Sequence, residues 1–313
     1  MIKIVMRAAD SEVVEPVKAR IQYMRVLVVD NLHRQMSDLS PLVRSLPGFR
    51  AGHWLKGERT IAGLALANIV TNVKQLVRHP VVRVVHLSEV SQALLKDFAP
   101  DAIVLSGTLS DFDFYNPRLF DRFGDIVRTT DIPILGICGG HQLIGMMFGA
   151  EVLTLDGKRQ WEKRKQRVVE YQYRFVKILR PDPLFAGAGR WKPRDGQPLQ
   201  NGNGHHHHGS GSGTWVLKVW QNHALKVDRV PDGFVNLARS YLCEIQAMVK
   251  RTDGQLIYTV QFHIEKSFED WNKRPEFWNH RVESRDGRII FENFLCQALI
   301  HRGREKQLRH LMS

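Results

Sequence analysis

The chain has 313 residues, 43% of them hydrophobic, with 45 Lys and Arg against 32 Asp and Glu and a formal net charge of +13. That length and apolar share suit one large α/β domain or two small ones with a full core, and no apolar run reaches the roughly 18 residues of a membrane span. The three cysteines (Cys138, Cys243, Cys296) are odd in number and far apart, which excludes a disulfide framework or a paired-cysteine zinc pattern and suggests a reducing, cytoplasmic setting.

Residues 1–23 carry acids where a secretory signal would be apolar, and they read as an N-terminal extension to a domain over 24–300. MRVLVVDN (24–31) is an apolar run ending in Asp-Asn, expected to form a buried parallel strand. Residues 59–78 have apolar positions at helical spacing. A strand over 81–87, a helix over 90–98, a strand over 101–107 and a helix over 117–130 follow. IPILGI (132–137) then predicts a strand, and GHQLIGMMFG (140–149) a helix. The alternation, with short links, predicts a doubly wound, mostly parallel sheet with helices on both faces. The second half is richer in strands, expected over 167–179, 214–220, 233–240, 245–252 and 256–263, before a closing helix over 287–300.

Two basic stretches, 157–167 and 301–310, hold much of the positive excess. No nucleic-acid motif accompanies them, so they read as a solvated face, the second within a basic tail over 301–313. The 157–167 stretch is also a candidate docking surface for an acidic partner. The low-complexity insert QNGNGHHHHGSGSG (200–213) cannot pack a core. Four adjacent histidines on such a segment lack the fixed geometry of a metal centre, so it reads as a flexible surface loop, and neither metal nor cofactor is expected.

In a doubly wound sheet, ligands bind beyond the carboxyl ends of the strands. There the chain places GICGGHQ (136–142). A strand ends, turns sharply and enters a helix with Cys138 on the turn. A nucleophile on such an elbow needs small neighbours, which Gly136 and Gly140 supply. The helix N-terminus favours negative charge on the sulfur, and the Gly139 amide is free to face an oxyanion. A cysteine nucleophile also needs a base and a group to orient it. QFHIEKS (261–267) offers both: if the strand runs on, His263 and Glu265 project from one face. His141 is not needed in that scheme, and Cys243 and Cys296 read as core. Trp271 and Trp278 would cover the site, dock a partner or pack as a surface loop.

These motifs, together with LSG (105–107), WQNHALKVDRVPDGF (220–234) and RIIFENFL (288–295), make the chain similar to the class I (triad) glutamine amidotransferases over roughly 24–300. The resemblance implies a flavodoxin-like fold and a Cys138-His263-Glu265 triad that opens the glutamine side-chain amide through a glutamyl thioester. It implies an oxyanion hole from the amides of Gly139 and the Gly107 loop, and substrate contacts from Gln142 and from the Asn222-His223 stretch, His223 itself reading as structural. The chain departs from the family pattern at several points. Position 139, usually bulky, is Gly. The common Gly-Gly-Pro reads Gly107-Thr108-Leu109, His-Pro-Glu reads His263-Ile264-Glu265, and Ala224 stands where Gly is common. The expected function is a glutaminase releasing ammonia to an acceptor on a separate synthetase chain. The alternatives are a γ-glutamyl hydrolase acting on another γ-glutamyl compound, and a non-catalytic regulatory subunit.

Overall fold

A computed structural model describes residues 20–193, 213–252, 254–266 and 284–303. The His-rich tract, Trp271, Trp278 and residues 304–313 of the basic tail lie outside the described residues, as does most of the N-terminal extension.

The first apolar run forms β1 (Ile21–Asp30), which begins three residues before the expected start at Met24 because Ile21 is itself core. A short α1 (Pro41–Arg44) leads to α2 (Ala51–Leu76). This helix starts well before residue 59. Its buried stripe of Ala62, Leu66, Ile69 and Val73 begins only in its middle, and Gly52 and Gly57 weaken the helical signal of its first turns. Then come β2 (Val77–His86), α3 (Gln92–Phe98), β3 (Ala102–Leu105), α4 (Arg118–Thr129), β4 (Ile134–Ile137) and α5 (Gly139–Met147). The second half holds β5 (Val152–Thr154), β6 (Glu170–Ile178), β7 (Arg190–Pro193), β8 (Gly213–His223) and β9 (Leu225–Val227). It closes with β10 (Phe234–Arg239), β11 (Ala247–Arg251), β12 (Leu256–Val260) and α6 (Arg285–His301).

Among the described residues, ten strands make one sheet in the order β2-β1-β3-β4-β12-β11-β10-β6-β8-β7, and β5 pairs with β9 separately. From β2 to β12 all pairings are parallel. From β12 outward they are antiparallel. The parallel half has the doubly wound order; its inner strands β3, β4 and β12 are buried on both faces, as near-continuous apolar runs require, while β2 is a half-exposed edge strand.

Strand alternation divides the core. Met24, Val26, Val28, Val104 and Ile137 pack with α2 and α6 on one face. Leu27, Val29, Ile103, Leu105 and Ile134 pack with α3, α4 and α5 on the other. Each face is covered by helices of the expected apolar period.

The ring of Phe294 on α6 is fully buried and meets Tyr258 of β12 edge-on at 6.4 Å. Phe294→Ala is expected to cost about 3–5 kcal/mol in urea unfolding, against about 0.5 kcal/mol or less for exposed Leu64→Ala on α2. Equal losses would show that α6 does not cover the sheet.

Candidate functional site

The site starts from the backbone of Cys138. Between β4 and α5 this residue takes φ 52 and ψ −105, a conformation that costs a non-glycine residue about 1–3 kcal/mol. The turn is held by the Cys138 N–H donating to Val260 O at 2.8 Å and by the Gln142 N–H donating to Cys138 O at 3.1 Å. It also depends on close crossings. A Cβ on Gly136 would lie 2.7 Å from Gly140 O and Ile144 Cδ1, and one on Gly140 2.9 Å from Leu105 Cβ and O. The turn sets Cys138 at the start of α5, where unpaired helix N–H groups favour an anion.

The loop after β3 lies over the elbow. A Cβ on Gly107 would sit 3.6 Å from Cys138 Cβ and 3.7 Å from His263 Cε1, so Gly107 lies beside both residues. A Cβ on Gly139 would collide with the backbone N and the hydroxyl of Thr108. The departure at position 139 thus has a physical cause: Thr108 fills the space that a side chain there would need.

The His263-Glu265 pair forms, though not by the expected route. β12 ends at Val260, so strand alternation does not align the two residues. Instead the His263 N–H donates to Trp220 O of β8 at 2.8 Å in an isolated bridge. Asn72 Nδ2 of α2 donates to Glu265 O at 3.1 Å, and Gly287 of α6 packs against the Ile264 backbone. His263 Nδ1 then meets Glu265 Oε1 at 2.6 Å, with Glu265 buried. Burial alone disfavours the imidazolium, but the Glu265 carboxylate and the Cys138 thiol outweigh it and raise His263 to about 10. Burial likewise opposes the Glu265 charge, yet His263 holds its pKa below the ordinary value. The raised histidine adds stability in full below its ordinary 6.5, and this is lost as pH rises through about 10. The lowered carboxylate adds stability above its ordinary 4.5, lost as pH falls below that value.

Gln142 is buried, and its Nε2 donates to Leu225 O at 3.0 Å and to Gln261 Oε1 at 2.9 Å. Gln261 Nε2 in turn donates to Cys138 Sγ at 3.7 Å. This glutamine chain is absent from the sequence-level expectations. Its one signal was the polar Gln261 beside the histidine in QFHIEKS. Asn222 is exposed on β8, opposite Tyr171, and no hydrogen bond among the described residues links it to the Cys138-His263-Glu265 group. His223 is engaged with Leu225 O at 2.9 Å and Glu170 Oε2 at 3.0 Å. His141 bonds Thr259 Oγ1 at 2.7 Å, and burial, with His223 adding to it, pushes its pKa down to about 3. Burial raises the other thiols, Cys243 to about 12 and Cys296 to about 11, so both stay protonated. No group of three or more potential metal ligands occurs among the described residues, and none of their helices is long and apolar enough to cross a membrane.

With this geometry in view, the family model described as glutamine amidotransferase class-I matches residues 66–281. The glutamine-hydrolyzing GMP synthase subunit of Methanococcoides burtonii is 34% identical over 177 residues, 56% of this chain and 69% of that protein. The glutamine-hydrolyzing GMP synthase of Shewanella frigidimarina is 29% identical over 56% of this chain, which spans only 28% of that protein's length. A solved structure of a GMP synthase subunit protein from Thermoplasma acidophilum has a TM-score of 0.53 at 21% identity, covering 90% of this chain and 98% of that one. This likeness confirms the fold.

An NMR titration of the His263 ring is expected to show it still protonated at about pH 8, and Glu265→Gln to lower its pKa by about 1–3 units. An unchanged value would remove the carboxylate as the cause. Gly139→Ala is expected to destabilise the fold by about 1–3 kcal/mol in urea, with Thr108→Gly recovering only part of the loss because the backbone N of residue 108 remains in the way. Complete recovery would place the whole clash on the Thr108 side chain.

Proposed function

Because the chain belongs to the class I glutamine amidotransferases, we propose that it hydrolyses the glutamine side-chain amide through Cys138, His263 and Glu265. The observation that carries this reading is the cysteine at a strained elbow, facing an imidazole held by a buried carboxylate at 2.6 Å.

The residues perform the following steps. Cys138 Sγ, as thiolate, attacks the side-chain carbonyl carbon, and the C=O electron pair moves to oxygen. The amides of Gly139 and of the Gly107 loop face that oxyanion. The His263 imidazolium gives its Nε2 proton to the amide nitrogen as the C–N bond breaks, leaving ammonia and a thioester. Neutral His263 then takes a proton from water as the oxygen attacks the thioester carbon, and collapse expels the thiolate and leaves glutamate. Glu265 stabilises the imidazolium and orients its ring. Gln261 lends a donor to the sulfur, which favours the thiolate as attacking and leaving group. Gln142 holds Gln261 in place, and in this reading Gln142 and Asn222 also contact the substrate. The name of the Methanococcoides burtonii relative, a glutamine-hydrolyzing subunit of GMP synthase, supports release of ammonia to an acceptor on a separate chain.

The test is intact mass after incubation with a glutamine-derived diazo-ketone. One adduct is expected, blocked by excess glutamine and absent in Cys138→Ala, with glutamine hydrolysis in that variant lower by on the order of 10⁴-fold. Failure to label, combined with turnover of another γ-glutamyl conjugate, would make the protein a γ-glutamyl hydrolase. Failure of both would leave a non-catalytic subunit.

A further inference from the structure

Two arginines of the basic stretch 157–167, Arg164 and Arg167, are engaged within the chain, while Lys158, Arg159 and Lys165 are exposed. Arg167 makes a two-pronged pair with Asp111: Nη1 to Oδ1 at 2.6 Å and Nη2 to Oδ2 at 2.8 Å. Arg164 reaches Asp111 Oδ2 at 2.7 Å, also pairs with Asp113, and lies over the Phe114 ring at 4.8 Å. Gln160 adds a neutral link, its Oε1 accepting from the Phe112 N–H at 2.7 Å and its Nε2 donating to Val152 O at 2.9 Å. Asp111 and Arg167 are largely buried, at 10% and 13% exposure, so water and salt screen this pair less than a surface pair.

Asp111 lies four residues beyond Gly107, at the far end of the loop that covers the elbow. The loop has two further anchors, at Ser106 and at Ser110. Ser106 holds Asn31 through its Oγ and carbonyl, at 3.1 and 2.6 Å. The Ser110 hydroxyl donates to Glu58 of α2. Glu58 itself is fixed by the His33 N–H at 3.1 Å and His33 Nδ1 at 2.7 Å. Between these anchors, Gly107 and Thr108 touch the Cys138-Gly139 turn and the His263 ring.

We infer that Arg164 and Arg167 are positioning residues: through Asp111 and Asp113 they hold the Gly107–Ser110 loop against the Cys138 elbow, at the height where its amides meet the developing oxyanion. The inference rests on the amide-hydrolysis reading above and adds to it. Within the basic insert, these two arginines form a strut for the oxyanion loop. A loop released from its clamp shifts by a fraction of an ångström to an ångström, enough to weaken oxyanion donors while the thiol and its base keep their places.

The experiment compares the parent, Arg164→Gln, Arg167→Lys and the double variant Arg164→Gln/Arg167→Gln in three measurements. In the double variant, kcat for glutamine hydrolysis is expected to fall on the order of 10- to 100-fold, with KM changed by less than about threefold. Alkylation of Cys138 by iodoacetamide, a displacement that forms no oxyanion, is expected to stay within about twofold of the parent. Hydrogen exchange of the peptide covering 105–112 is expected to rise, with that of β1 and β4 unchanged. Arg167→Lys keeps the charge but not the two-pronged geometry and is expected to fall between parent and double variant. An unchanged kcat overturns the inference. So does a parallel loss of alkylation, which would place the effect on the thiolate or the fold. If the double variant does not fold, partly exposed Arg164→Gln decides on the same criteria. If the parent itself hydrolyses no glutamine, the amide-hydrolysis reading fails, and exchange at 105–112 judges the clamp alone: no rise overturns it.

Discussion

Everything at this site hangs on the backbone of one residue. Cys138 at φ 52 cannot persist by local preference, so its surroundings must hold it there. β4 is buried on both faces, and β12 accepts the Cys138 N–H. Gly136 lets α5 cross close over the strand end, and Gly140 lets the same helix touch Leu105 of β3. Each contact is one that an added Cβ would destroy. The parallel half of the sheet therefore does more than present the loops. It stores the strain that lifts a sulfur onto a helix N-terminus and leaves it only 5% exposed.

The base is placed differently. His263 and Glu265 lie past the end of β12, on a segment with no regular structure. Three distant elements define it: β8 through the Trp220 carbonyl, α2 through Asn72 and α6 through Gly287. A buried carboxylate and imidazole at hydrogen-bond distance are stable together and costly apart. Once the backbone is pinned, electrostatics keeps the pair closed. The ring pKa, raised by both a carboxylate and a thiol, is the mark of a group facing two acids.

The elbow and the parallel strands were legible in the sequence because their causes are local: an unbroken apolar run, glycines on each side of a cysteine, a helical period behind it. The His263-Glu265 contact was legible for an incomplete reason, since spacing along a strand suggested it and packing across the chain delivers it. Other features had no local signature. The exposure of Asn222 follows from which face of β8 meets the core, and a strand buried at Val219, Trp220, Gln221 and His223 shows no clean alternation. The Gln142-Gln261-Cys138 chain joins residues 123 positions apart. β5, β7 and β9 are three or four residues long, and pairing defines them where periodicity cannot. The early start of α2 was hidden by glycines that tertiary packing overrides.

The departures from the family pattern gain meaning when read across space. Along the chain, a Gly at 139 and a Thr at 108 are two separate oddities in two motifs. In the fold they touch: the Thr108 Cβ lies 2.6 Å from where a Cβ on residue 139 would be. Thr108 fills the space beside the elbow, as close packing demands. Because the filling group belongs to the loop, the elbow depends on where the loop sits. A loop with that duty needs firm anchors at both ends, and this chain provides Asn31 at Ser106, and Glu58 at Ser110 with the aspartate-arginine pairs of Asp111 beside it. Of the positive charge in this stretch, which reads in the sequence as a solvated face, Arg164 and Arg167 are turned inward to aspartates of the loop beside the site.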